Sequence, residues 1–320
     1  MEWIKKLNPD IIHLHNIHGY FLNYQILFEY LSNTDIPIVW TLHDCWAMTG
    51  QCTHFVEVGC EKWKTGCHDC ELLNYAYKTF FDRSDKNWNL KNKMFNQIKN
   101  MTIVPVSKWL DVVVKESLLK KYPRQMIYNG IDLSIFKPSG LTRKDLGLDE
   151  RFTLLGVSSG WGISKGLSEF VELSKQKEYQ VVMVGVQNEL IAELPSNIKM
   201  IRKTQNQTML ASYYSLADVF INPSHADSFP TVNLEALACG TPVITYRTGG
   251  SPEAVDDRTG AVVERGDFKA LCRKIIEYKN TGFKQLHSCD CRRHVETLFD
   301  KNLCMMKYIE LYADCESISA

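Results

Sequence analysis

No run of 18 or more apolar residues occurs in the 320-residue chain, so no helix in it is read as crossing a bilayer. Charge of one sign is missing too: 37 Lys and Arg balance 37 Asp and Glu. No global field therefore recruits nucleic acid or anionic lipid. The opening MEWIKKLNPDIIHLHN lacks the apolar core and cleavage site of a signal peptide. The expected setting is the reducing cytoplasm, with contact to the inner face of a membrane no more than peripheral. Internal repeats and low-complexity stretches are absent. So is the opening that a doubly wound α/β domain should have. Residues 2–7 read as the end of a helix and 10–14 as a strand, with no glycine-rich strand-to-helix turn before them.

What is present includes 45% hydrophobic residues, enough for two domains with cores of their own. Strand-like runs at 38–42, 103–106 and 125–128, then 152–157, 180–185, 197–201, 219–221, 242–245 and 261–263, alternate with amphipathic helical stretches. That alternation gives an α/β class with parallel sheets. Asn129-Gly130 supplies a turn that tolerates positive φ, and the chain divides into expected domains 1–138 and 139–320.

The reading centres on residues 218–253, which begin DVFINPSHADSFPTVNLE and continue through ACGTPV to TGGSPE. Val219–Ile221 reads as a buried strand, Pro230–Cys239 as a helix and Pro242–Thr245 as the next strand. Asp227 falls in the loop beyond the first strand, and Glu235 lies eight positions later in the helix. Ligands of parallel sheets bind outside the carboxyl ends of the strands, which is where Asp227 would be. The first turn of the helix, with Thr231 and Val232, offers unpaired amides to an anion. Upstream, Lys165-Gly166 occupies a second strand-to-helix turn, SSGWGISKGLSEF, where a cationic amine would meet a diphosphate.

These strings resemble the signature of retaining glycosyltransferases of family four (group 1), which have the GT-B fold of two Rossmann-like lobes. The N-G-I-D…F-x-P string at 129–138 belongs to the same resemblance, which covers nearly the whole chain. It implies a nucleotide sugar in the cleft between two doubly wound domains, the first incomplete here because the family carries further βα units upstream. It also implies a last helix, at about 301–313, that returns to the first domain. By resemblance Glu235 accepts from ribose hydroxyls, Asp227 holds hydroxyls of the donor sugar, and Lys165 with the amides of Thr231 and Val232 meets the diphosphate. His43, directly after the strand at 38–42, would face the sugar. Retention would proceed with the donor phosphate assisting acceptor deprotonation and with no catalytic metal. The acceptor would be a glycan or lipid-linked glycan in surface polysaccharide assembly. Departures from the family pattern are Asp rather than Glu at 227, Pro230 in place of Gly, and Ser159 where an Arg usually supports the lysine. Two alternatives remain open: a nucleotide-sugar 2-epimerase, and a nucleotide-sugar-binding remnant without catalysis.

The insertion 43–73 holds Cys52, Cys60, Cys67 and Cys70 within nineteen residues, the last two as C-x-x-C. Four thiolates on a glycine-containing loop suit one tetrahedral structural zinc, which would supply folding energy to a loop with little core of its own. Free thiols are the alternative. His13 and His15 share a strand face and are read as half-buried structural residues rather than a metal pair. The stripe Met209, Leu210, Tyr213, Tyr214 and Leu216 is read as core.

Overall fold

The computed structural model describes residues 2–19, 21–73 and 79–319. The chain forms two compact units, Met1–Tyr128 with Cys304–Ala320, and Asn129–Leu303.

In the first unit, strands β1 (Ile12–Leu14), β2 (Ile38–Leu42) and β3 (Met101–Pro105) pair in parallel in that order. Helices α1 (Glu2–Leu7), α2 (Tyr24–Leu31), α3 (Ser84–Phe95) and α4 (Lys108–Glu116) precede, connect and follow them. Every residue of β2 is buried, as befits a parallel strand covered on both faces. The side chains of Asn23 and Ser107 cap α2 and α4, accepting from main-chain amides in the first turn. The strand expected at 125–128 does not form. Gln125 and Ile127 donate to the carbonyls of Ile103 and Pro105 at 3.1 and 3.2 Å, but Pro105 has no N–H with which to return a bond. The C-terminal helix packs Cys304, Tyr308, Leu311 and Cys315 against Val39, Val104 and Ile127 of this unit.

The second unit holds β4 (Phe152–Val157), β5 (Tyr179–Val184), β6 (Lys199–Ile201), β7 (Val219–Asn222), β8 (Val243–Tyr246) and β9 (Gly260–Val263). Their order is β6-β5-β4-β7-β8-β9, all parallel. Winding reverses between β4 and β7, the topological switch point where doubly wound sheets open a crevice for ligands. The helices are α5 (Leu167–Ser174), α6 (Asn188–Ile191), α7 (Gln207–Leu216), α8 (Thr231–Ala238), α9 (Phe268–Thr281) and α10 (Phe283–Leu298), followed by the C-terminal α11 (Lys301–Ser319). The core sandwiched against the sheet includes Leu154, Phe170, Met183, Ile244 and Leu271. Among the described residues, no helix is long and apolar enough to cross a membrane.

Candidate functional site

Two loops leave the sheet at the switch point, one after β4 and one after β7. The first tightens into a helical turn at Ile163–Lys165 and then reverses at Gly166, whose φ of +74° is left-handed. A Cβ on Gly166 would come within 2.3 Å of Pro223, so the two loops can dock closely only with glycine there. Docking brings Lys165 Nζ to 2.8 Å from Asp227 Oδ2, with Ser224 Oγ and the Ala226 carbonyl each at 3.4 Å. Two residues expected to share a site, 62 positions apart in sequence, thus form an ion pair at the carboxyl ends of adjacent strands. The pair is partly exposed, with side-chain exposures of 36% and 21%, so it can be reached by a ligand.

Beyond Asp227, α8 starts at Thr231, one residue later than the sequence suggests. Pro230 is its extended N-cap rather than its first helical residue and offers no side-chain cap. The amides of Thr231 and Val232 accordingly belong to the helix's first turn, whose donors lack helical partners. The Thr248-Gly249-Gly250 turn abuts the same loop. Gly250 donates to the Ser228 carbonyl at 3.0 Å, and a Cβ on Gly249 would lie 1.7 Å from the Asp227 carbonyl oxygen. Asn233 Nδ2, Thr248 Oγ1 and Ser251 Oγ are buried in this region without a hydrogen-bond partner. Unsatisfied buried polar groups of this kind are costly and rare in folded proteins.

Glu235 lies in the middle of α8, and Tyr214 of α7 donates its hydroxyl to Oε2 at 2.9 Å. Burial raises the Glu235 carboxyl above its ordinary range, and the Tyr214 bond works against that rise. Tyr214 itself is fully buried. Its core position agrees with the reading of the α7 stripe, but its hydroxyl's partner was missed. The available signal was a carboxylate within a helix otherwise flanked by Leu and Ala, which needs a donor. Glu169 and His225, also unflagged by sequence, pair at 3.1 Å behind the two loops. Arg247, after β8, pairs with Glu264 at 2.6 Å.

In the first unit, His43 follows β2 directly. Its Nε2 lies 3.0 Å from His15 Nδ1. His13, one strand face with His15, bonds Tyr312 Oη at 2.6 Å and Thr41 Oγ1 at 2.8 Å. Burial first, and then the neighbouring His15, hold His43 below its ordinary pKa; burial with the other two histidines takes His13 down to about 4. The three rings are therefore neutral near pH 7 and available as hydrogen-bonding groups. A cavity of about 570 Å³ in this unit is lined by Asn23, Tyr24, Trp46, Gln51 and Asn87 among others.

The expectation of a structural zinc finds no support in the arrangement of these side chains. Cys52, Cys60, Cys67 and Cys70 do line one cavity, of only about 20 Å³. Among the described residues, however, no group of three or more His, Cys, Asp or Glu side chains is arranged to hold a metal ion. The loop has the core that the sequence reading denied it. Phe55 and Trp63 are buried and stacked at 4.7 Å, and Trp88 Nε1 donates to the Trp63 carbonyl at 3.0 Å. The fully buried Lys91 donates to the carbonyls of Trp46 and Thr49 at 2.6 and 2.9 Å, its amine 3.5 Å from the centre of the Trp46 ring. Burial pushes the Cys52 thiol up to about 12 and Cys67 to about 11, which keeps both protonated at neutral pH.

Comparison with known proteins adds to this geometry. A family model described as "Glycosyltransferase Family 4" matches residues 1–135, and one described as "Glycosyl transferases group 1" matches residues 161–280. The chain is 26% identical over 286 residues to the putative colanic acid biosynthesis glycosyl transferase WcaC of Escherichia coli K12, covering 82% of the chain and 66% of WcaC. It spans less than half the length of other curated relatives such as a mannosyltransferase of Corynebacterium glutamicum. Among solved structures, sucrose-phosphate synthase of Thermosynechococcus elongatus is similar with a TM-score of 0.77 at 19% identity, over 99% of this chain and 76% of that one. HepE of Anabaena, solved in complex with UDP-glucose, is similar with a TM-score of 0.69 at 15% identity, over 98% of this chain and 81% of that one. At these identities the structural likenesses speak for the fold.

Proposed function

Since this chain belongs to the family 4 (group 1) glycosyltransferases of the GT-B class, we propose that it moves a sugar from a nucleotide-sugar donor to a glycan or lipid-linked acceptor, with retention, in surface polysaccharide synthesis. The observation that carries the proposal is the Lys165–Asp227 pair, 2.8 Å apart at the switch point of the second unit. A diphosphate arriving there gives the lysine a second anionic partner and frees the Asp227 carboxylate to accept from sugar hydroxyls. The first-turn amides of α8, at Thr231 and Val232, add donors on the same loop. Positive charge and main-chain dipoles fixed where negative charge develops on the departing diphosphate favour the transition state over the bound donor. Glu235 accepts from the ribose through the oxygen that Tyr214 leaves available, and burial makes each such bond stronger than it would be in water.

His43 is assigned a polar contact to the donor sugar through Nδ1, its Nε2 being taken by His15. The acceptor side is assigned to the first unit's cavity. Its aromatic faces of Tyr24 and Trp46 and its amides of Asn23, Gln51 and Asn87 are chemistry that suits a sugar ring. Colanic acid and capsular polysaccharide synthesis, named for two relatives, support a surface-polysaccharide role. UDP, present in the HepE structures, is the first nucleotide to test.

The test is calorimetric titration of UDP and a panel of UDP-sugars into wild type, Lys165→Ala and Glu235→Ala, with UDP release measured in parallel. Saturable binding by the wild type and loss of about 10-fold or more in each variant are expected, from charge-assisted bonds worth roughly 1.5–3 kcal/mol. Equal affinities in all three proteins would sink the assignment.

A further inference from the structure

We propose that Glu169 is a positioning residue for the donor site, acting through His225 on the loop that carries Asp227. The inference rests on the donor-site reading above and deepens it.

Glu169 sits in the first turn of α5, four residues after Lys165, with a side chain only 9% exposed. A carboxylate so placed costs several kcal/mol of desolvation unless its oxygens are satisfied. Three donors from three elements meet it. His225 Nε2, on the loop after β7, lies 3.1 Å from Oε1. The hydroxyl of Tyr246, at the end of β8, donates to the same oxygen at 3.2 Å. Ser168 Oγ donates to Oε2 at 2.9 Å. Burial opposes ionisation here, yet the bonds from His225 and Ser168 outweigh it and hold the carboxyl below its ordinary range.

His225 stands two residues before Asp227, and its own main-chain N–H donates to the Ser164 carbonyl at 2.8 Å. Ser224 Oγ donates to that carbonyl at 3.3 Å. The loop is thus fixed to the Lys165 turn by the His225 amide and the Ser224 hydroxyl, and to α5 by the Glu169–His225 bond. Because an ionised carboxylate only accepts, this bond places a proton on His225 Nε2. Packing by itself needs no charge at position 169, and an apolar residue of similar volume fills such a site at no electrostatic cost. The carboxylate instead sets the rotamer and tautomer of a histidine next to Asp227. The Lys165 backbone is set by its own turn at Ile163–Gly166, so the Glu169–His225 pair governs the sugar-facing acid more than the diphosphate-facing amine.

The experiment compares wild type, Glu169→Gln, His225→Gln and the double variant. Three quantities are read: UDP affinity by calorimetry, kcat and KM for release of UDP from a UDP-hexose that the wild type accepts, and the ¹⁵N signature of the His225 ring. UDP affinity should stay within about 3-fold while kcat falls about 10-fold or more, because sub-ångström misplacement of a reacting-site group costs rate before it costs binding of the remote part. The double variant should be no worse than either single one. The wild-type ring should show a fixed Nε2–H tautomer that Glu169→Gln loses. Unchanged kcat in Glu169→Gln, losses that multiply in the double variant, or UDP affinity falling as far as kcat would each overturn the proposal. If Glu169→Gln does not fold, Tyr246→Phe, which removes one donor from the same oxygen, should lower kcat in the same pattern, and no effect there counts against it. A wild type that binds no UDP overturns the donor-site reading instead.

Discussion

Lys165 and Asp227 were visible in the sequence because each stands in a turn between a strand and a helix. Their pairing was not, since it depends on β4 and β7 being neighbours. Tyr214 shows the same limit from another side: its periodicity marked it as core, and only the fold supplies Glu235 as its partner. Two predictions belong at this scale. In Tyr214→Phe, Glu235 loses the bond that lowers its raised pKa, so protonation moves to higher pH. Loss of UDP affinity on acidification should therefore begin at a higher pH than in the wild type, as calorimetry across pH 4 to 7 would show; coincident profiles would contradict it. Thiol reactivity gives the second. Cys289 is exposed, whereas Cys52 and Cys67 are buried with raised pKa values. Brief alkylation of the folded protein near pH 7.5, followed by peptide mass spectrometry, should mark Cys289 well before either of the others.

Among the elements, the loop between β7 and α8 is shaped by glycines elsewhere in the chain. Gly249 has a φ of +52°, and a Cβ on it would collide with the Asp227 carbonyl. Gly249→Ala is expected to cost about 2 kcal/mol or more in urea denaturation, from a strained φ and a backbone clash. It should also abolish donor turnover, because the loop must move; an alanine variant with wild-type kcat would refute the tight packing. The T-G-G string was legible as a motif, but its reason, a main chain running beneath Asp227, is tertiary. At 125–128 a strand-like run failed because of Pro105 on the partner strand. In the 43–73 insertion, cysteine spacing suggested metal, while the loop is organised around Phe55, Trp63 and Lys91. Spacing counts ligands along the chain and says nothing of Trp88 and Lys91, which reach the loop from α3.

For the molecule as a whole, two sheets in two units were predictable from alternating strands and helices, and the second sheet has the full six-stranded order that such alternation allows. The first unit is expected to be acid-sensitive, through its three histidines. His13 titrates near 4 in the fold, and His15 and His43 are shifted in the same direction. Unfolded histidines titrate near 6.5, so between about 6.5 and 4 the unfolded chain binds more protons than the native one. Stability should accordingly fall as pH drops through that window and level off below it. Thermal melts from pH 7.5 to 4 should show the decline, and His13→Gln should flatten part of it. An unchanged slope in that variant would mean that other groups dominate.

By itself the sequence determined the α/β class and the strand-end, turn or helix positions of Lys165, Asp227, Thr231, Val232, Glu235 and His43, because these depend on local periodicity and turn chemistry; its motif strings carried the resemblance to the family. Tertiary structure alone decided who partners whom: Lys165 with Asp227, Glu235 with Tyr214, Glu169 with His225, and four cysteines beside Phe55 and Trp63. Those pairings join residues separated by 21 to 62 positions in the chain. Strand order and close backbone approach set such distances, and neither leaves a repeat or a spacing in the linear chain.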